Sequence, residues 1–445
     1  MSSIKLYYWE YVKKLSILFI GWKVLILAVV ACSPGSGYDT SSNLLFTHKH
    51  EKNLPFLVRY LAQKLTRWDA VYYVSISSRG YIFEQEWAFG WGMTRFMALC
   101  TSASGLRKVI SDFNGLESVV GVLVAHSTHF LSVILLFTLT LKIFTGENLD
   151  KFAFFTACLH IISPAGVFLS APYAESPCAF LSFAGILVFT LSIDAKKSWT
   201  KGFLILISGA LFGIATTFRS NAILNGFLIF EEAIRALWDL KNNFRISTIC
   251  HLFLTGLAGL FVGSGSIIPQ YIAYSEYCAE SLAVKRPWCS KIFPSIYQFV
   301  QSHYWDVGLF RYWKLSNLPL FLISAPMYSL ILVSGIWALN LSNKEQNIKS
   351  YNSTGSLGTY ATYYWTFRNL AISQLILAVG TFTTAHAQII SRTSSSYPVW
   401  IWFLAILLLG QNTSQNKRIV KGLTSYLITY GIVQAGLYSS FLPPA

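Results

Sequence analysis

Apolar runs of near twenty residues, separated by polar stretches, recur from Leu15 to Leu442. No other feature of this chain narrows its fold as much. A run of that length crosses a ~30 Å hydrocarbon core as a helix. Lipid offers backbone amides no partner, so each segment must satisfy its own hydrogen bonds. Composition agrees: of 445 residues, 54% are hydrophobic and 12% charged, against the ~25% charged fraction usual in soluble domains. An all-α polytopic membrane protein is expected, with residues 1–445 forming a single membrane domain.

Hydropathy predicts about eleven spans. They are Leu15–Cys32, Val119–Ile143, Phe152–Leu169, Pro177–Ile193, Phe203–Phe218, Ala222–Leu237, Ile249–Ile268, Leu318–Leu341, Phe367–Thr384, Val399–Leu409 and Leu423–Leu442. Lys5, Lys13 and Lys14 precede the first span, which places the N-terminus in the cytoplasm. That span lacks a small-residue cleavage site and is expected to stay as a helix. Lys23 inside it either snorkels or faces the protein interior. Alternate crossings put Lys196, Lys197, Lys201, Lys241, Arg245, Lys344, Lys349, Lys417, Arg418 and Lys421 on the cytoplasmic side, as the positive-inside rule requires. The net charge of +15 reads as such anchors beside anionic lipid. No basic run interleaved with aromatics points to nucleic acid.

The same count places the remaining polar segments on the opposite face. These are the loops of residues 33–118 and 269–316, SAPYAES (Ser170–Ser176), FRSN (Phe218–Asn221) and HAQIISR (His386–Arg392). The sequons at Asn340, Asn352 and Asn412 fall in loops on the cytoplasmic side and are expected to carry no glycan.

Asp and Glu number only 19, and RWDAVYYVSISSRGYIFEQEWAF, Arg67 to Phe89, gathers Asp69, Glu84 and Glu86. Helical periodicity over Leu61–Ser78 sets Leu65, Asp69, Tyr73 and Ile76 on one face. A carboxylate partly desolvated there suits a general base; a helix cap or a salt bridge to Arg67 is the plainer reading. Glu84 and Glu86 point to one side if the segment is extended, and would then bind sugar hydroxyls or a cation; a solvated hairpin is the alternative. Trp87, Phe89 and Trp91 suit either sugar C–H surfaces or interfacial anchoring.

In SPAGVFLSAPYAESP, Pro164 and Pro172 stop helices and leave Tyr173 and Glu175 at the membrane edge. Arg219, near Asn221, and Arg392, after His386, offer charge to a lipid phosphate. The second long loop carries His303, Asp306 and Arg311 in an aromatic setting. Cys278 and Cys289 would face an oxidising lumen and are expected to pair; Cys32 and Cys100 are a weaker pair. Cys158, Cys178 and Cys250 read as buried free thiols. The absence of CxxC, HxxxH and DxD argues against a metal site.

WDAVYYVSISSRGYIFEQEWAF, SAPYAES, TFRSNA, the PQY…C…WC…P…Y…VQ…YW.VG..RYW loop and HAQIISRTSSSYP occur in that order between Arg67 and Pro398. Together they resemble the GPI mannosyltransferase 2 family (PIG-V type). Gln85 departs from the His that the family usually carries between the two acidic positions. The resemblance implies a GT-C-type bundle in the endoplasmic reticulum membrane, with its site on the luminal face. It implies transfer of the second mannose, through an α-1,6 bond, from dolichyl phosphate mannose to a one-mannose GPI precursor. The donor is β-linked, so the anomeric carbon inverts.

One-step inversion needs a base and a stabilised phosphate, and the resemblance assigns Asp69 as that base. Glu84 and Glu86 would orient the acceptor or support Asp69. Arg219 and Arg392 would hold the dolichyl phosphate, and His386 would assist. Arg67, Trp68, Trp87, Glu175, Asn221 and Arg311 complete the candidate substrate contacts. No cofactor or metal is expected beyond the lipid donor; some fungal-type members of the family have a small membrane partner. The competing readings are a transporter or flippase of a lipid-linked sugar, a non-catalytic scaffold subunit, and a mannosyltransferase with another lipid-linked acceptor.

Overall fold

The computed structural model describes residues 2–35, 39–46, 55–105, 115–242, 244–279, 286–347, 358–359, 363–410 and 414–443. Helix occupies part or all of each predicted apolar segment. Six helices among the described residues are long and apolar enough to cross a membrane: Tyr8–Cys32, Leu116–Ile143, Glu175–Ile193, Ser198–Phe218, Ile246–Tyr277 and Leu315–Leu341. Length and composition single out these six among the described residues, and the expected count of eleven is not confirmed.

Three of the other segments depart from a plain span for visible reasons. Phe152–Leu169 is not continuous: its helix ends at Ile161 and a 3-10 turn covers Gly166–Leu169. Pro164 cannot donate a backbone hydrogen bond, and Gly166 takes a left-handed φ of 50°. The segment from Ala222 opens inside a 3-10 turn, Ser220–Asn225, and continues as Gly226–Asn242 with Glu231 and Glu232 in it. Val399–Leu409 is helical but short. Asn340 lies within the Leu318–Asn347 helix instead of a loop. Lys349, Asn352 and Asn412 lie outside the described residues.

Small residues let the central helices approach closely. A Cβ on Gly213 would collide with the Phe261 carbonyl, and one on Gly265 with the Gly213 carbonyl. The Ser198–Phe218 and Ile246–Tyr277 helices thus meet nearly backbone to backbone, as membrane helices do where side chains are absent. Beside this seam, Phe144, Phe152, Phe183, Phe212, Trp400 and Trp402 form a fully buried aromatic core.

Polar connections sort to two ends. At one, Lys142 and the Tyr363 hydroxyl both reach Asp194. Residues Phe144–Thr145 pair antiparallel with Gly358–Thr359, and Lys201 (2.5 Å) and His251 (2.9 Å) hold Glu232. The other end gathers the Asp69 segment with the SAPYAES, FRSN and HAQIISR motifs.

At that second end the predicted Leu61–Ser78 helix is two helices, Phe56–Leu65 and Asp69–Arg79. Trp68 between them has φ 54°. Distant side chains satisfy the break. The Tyr438 hydroxyl sits 2.8 Å from the Leu65 carbonyl and 2.9 Å from that of Arg67, and accepts from the Arg67 N–H at 3.2 Å. Ser42 donates to the Thr66 carbonyl. Asp69 consequently opens a new helix, where the macrodipole favours a carboxylate.

Glu84–Ala88 is a 3-10 turn, not an extended segment. Cys278 and Cys289 are joined as a disulfide, whereas Cys32 and Cys100 are both free.

Candidate active site

A cavity of about 560 Å³ opens at this second end, between the Ser198–Phe218 and Ile246–Tyr277 helices and the loops above them. Trp68, Asp69, Trp87, Arg219, His386 and Arg392 line it, drawn from motifs far apart in the chain. Among the described residues, Asp69 is the only Asp or Glu that lines it.

Glu175 organises the charges behind this wall. It is the first residue of the Glu175–Ile193 helix, and its side chain is 0% exposed. Its Oε1 accepts from Arg219 Nη1 at 2.6 Å and from Arg392 Nε at 2.7 Å. Arg392 Nη1 lies 3.4 Å from Asp69 Oδ2. The Arg392 guanidinium rests on the rings of Phe168 (4.1 Å) and Tyr173 (4.9 Å). Burial disfavours the Arg392 cation, but Glu175 and then Asp69 outweigh it and hold its pKa above the ordinary arginine value. Arg219 is steadied further by Asn221, whose Oδ1 accepts from Nε at 3.3 Å.

The result is two guanidiniums fixed by one buried carboxylate, with Nη2 of each outside these bonds. Asp69 stands at the cavity wall with a side chain 41% exposed. A preorganised pair of cations beside an open carboxylate can stabilise a leaving anion while a proton is taken from an incoming hydroxyl.

His386 lines the cavity, its ring tilted 4.7 Å from that of Tyr312. Burial lowers its pKa below 6.5, opposed by a backbone hydrogen bond to Trp305 and by Asp69. It is therefore neutral at pH 7 and offers a hydrogen bond, not a charge.

Several predicted site residues lie elsewhere. A 3-10 turn has three residues per turn, so Glu84 and Glu86 diverge. Glu86 accepts from Arg79 Nη2 (2.6 Å) and from the N–H groups of Ile82 (2.9 Å) and Phe83 (3.1 Å). Glu84 accepts from Trp288 Nε1 at 2.5 Å. Both are buried and neither lines the cavity.

Asp69 pairs with Arg392, and the salt bridge weighed between it and Arg67 is not made. Arg67 is 2% exposed, its guanidinium 4.5 Å from the Phe441 ring and away from the cavity lining. Arg311 is exposed and pairs with Asp306 at 3.4 Å. Sequence reasoning passed over Tyr297, Gln301, Trp305 and Gln388, all of which line the cavity. Gln301 and Trp305 sit in the second long loop, which was read for His303, Asp306 and Arg311 and not for its amide and indole. Among the described residues no cluster of three His, Cys, Asp or Glu could hold a metal ion.

Comparison with known proteins extends over nearly the whole chain. The family model described as Mannosyltransferase (PIG-V) matches residues 12–445. The GPI mannosyltransferase 2 of Chaetomium globosum is 40% identical, covering 96% of this chain and 95% of its own. That of Gibberella zeae is 37% identical, covering 97% of each. Among solved structures, the apo oligosaccharyltransferase of Archaeoglobus fulgidus aligns with 94% of this chain at 13% identity and a TM-score of 0.42, and this chain spans 56% of its length. The match from residue 12 to residue 445, together with relatives of this identity along nearly their full length, shows that the chain belongs to the PIG-V mannosyltransferase family.

Proposed function

We propose that this glycosyltransferase moves mannose from dolichyl phosphate mannose onto a GPI precursor bearing one mannose, forming an α-1,6 bond. The observation that carries the mechanism is Asp69, the one carboxylate among the described residues on a cavity wall that also presents Arg219 and Arg392. Asp69 takes the proton of the acceptor hydroxyl as its oxygen attacks the anomeric carbon. The bond from that carbon to the phosphate oxygen breaks on the opposite face, inverting the centre. Its electron pair leaves on dolichyl phosphate, whose charge the two arginines meet. The GPI acceptor is the reading favoured by the names of the relatives.

The cavity reaches Gly265 and Pro269 in one membrane helix and Leu320 in another. This suits substrates whose sugars sit at the membrane surface while their lipid tails stay in the bilayer. Lysine-rich loops at the opposite end, read with the positive-inside rule, support a cavity on the luminal face of the endoplasmic reticulum.

Depleting the protein from cells and weighing the GPI lipids by mass spectrometry tests the reading. Accumulation of the one-mannose intermediate is expected. Accumulation of a different intermediate, or none, overturns it.

A further inference from the structure

Lys23 lies in the membrane span of the first helix and takes no part in the chemistry above. The residue is 5% exposed. An ammonium at such depth needs partners from the protein, and it finds them 146 residues along the chain. Nζ donates to the Leu169 carbonyl at 2.7 Å and to Ser170 Oγ at 2.8 Å. Among the described residues no carboxylate pairs with it. The Phe19 ring lies 5.3 Å from Nζ, and His126, His129 and His160 are near enough to feel its charge.

Leu169 and Ser170 begin the turn that leads to Glu175. The Leu169 carbonyl also accepts from Ser176 Oγ at 3.2 Å, so one oxygen ties both flanks of the turn together. The outer side is closed as well: a Cβ on Gly121 would collide with Pro172. What the turn holds are Tyr173, beneath Arg392, and Glu175, which fixes both guanidiniums.

We infer that Lys23 is a positioning residue: by gripping Leu169 O and Ser170 Oγ it sets the turn at 171–175 and, through Glu175, the aim of Arg219 and Arg392. The inference rests on the reading of the cavity as the transferase site. Small displacements of oriented groups cost rate steeply, to about 100-fold for 1 Å. The cost should fall on turnover, because Lys23 itself does not line the cavity.

The test uses the purified full-length chain in liposomes with dolichyl phosphate mannose and a one-mannose GPI acceptor. Lys23→Met is expected to lower kcat about tenfold or more, leaving the KM for the donor and the melting temperature near wild type. Ser170→Ala should reproduce part of that loss and add nothing when combined with Lys23→Met, since both act through one contact. Wild-type kcat in Lys23→Met, a loss matched by lost folded protein, or full additivity of the two changes overturns the inference. Should Lys23→Met fail to accumulate, Ser170→Ala carries the test alone, with a lower kcat at unchanged KM expected and an unchanged kcat contradicting it. If the wild-type protein itself transfers no mannose, the reading of the site fails instead.

Discussion

At the scale of single residues, neighbouring carboxylates with the same chemistry do different work. Asp69 faces the cavity, whereas Glu84 and Glu86 are consumed by indole, guanidinium and backbone donors. Asp69→Asn should therefore abolish transfer, by at least ~100-fold as expected for a general base, without lowering protein level or melting temperature. Trp288→Phe should do the reverse. It leaves the buried Glu84 carboxylate without its donor, a cost of about 1–3 kcal/mol, and lowers the melting temperature while the folded fraction keeps its turnover. Thermal unfolding run beside a transfer assay separates the two.

His386 adds a pH dependence. Its folded pKa lies below 6.5, so between the folded value and 6.5 the unfolded chain binds more protons. Its contribution is present above pH 6.5 and is lost as pH falls below it. His386→Gln should flatten that part of the acid limb in a melting-temperature profile from pH 7 to 5. The sequence pointed to these residues by type and scarcity. It did not sort them, because partners such as Trp288 for Glu84 lie 204 positions away.

At the scale of elements, hydropathy located the helices and misjudged their joints. The break before Asp69 is invisible to periodicity because its backbone is satisfied by Tyr438, 371 residues along the chain. Without that hydroxyl a continuous Leu61–Ser78 helix would leave no group unpaired, and the pattern of Leu65, Asp69, Tyr73 and Ile76 describes it. Tyr438→Phe removes the clamp and should reduce transfer more than it reduces abundance, since it releases Trp68 and the start of the Asp69 helix. Equal losses of both would mean the hydroxyl serves only stability. The glycine seam behaves differently. Gly213→Val must force the Ser198–Phe218 helix away from Phe261, so loss of folded protein is expected in a detergent-solubilised melting assay. Overpacking of this kind costs about 1–3 kcal/mol even where neighbours can give, and a backbone carbonyl gives little.

At the scale of the molecule, alternation of spans foretold which polar motifs share a face, and those motifs do converge on one cavity. That grouping was legible because it needs only the order in which the predicted segments alternate, not where each helix starts. The shape of the cavity was not legible. It depends on the turn at 164–174, the 3-10 turn at Glu84–Ala88 and the disulfide-closed loop, none of which has a periodic signature. The arrangement that emerges is a membrane bundle holding one exposed carboxylate against two guanidiniums, themselves locked by a buried glutamate. The measurement that addresses this most directly is mannose transfer by purified wild-type and Asp69→Asn protein, at equal folded concentration, from labelled dolichyl phosphate mannose to a one-mannose GPI lipid. The account predicts a two-mannose product from wild type and none above background from the variant. Product formation by Asp69→Asn at the wild-type rate would contradict it.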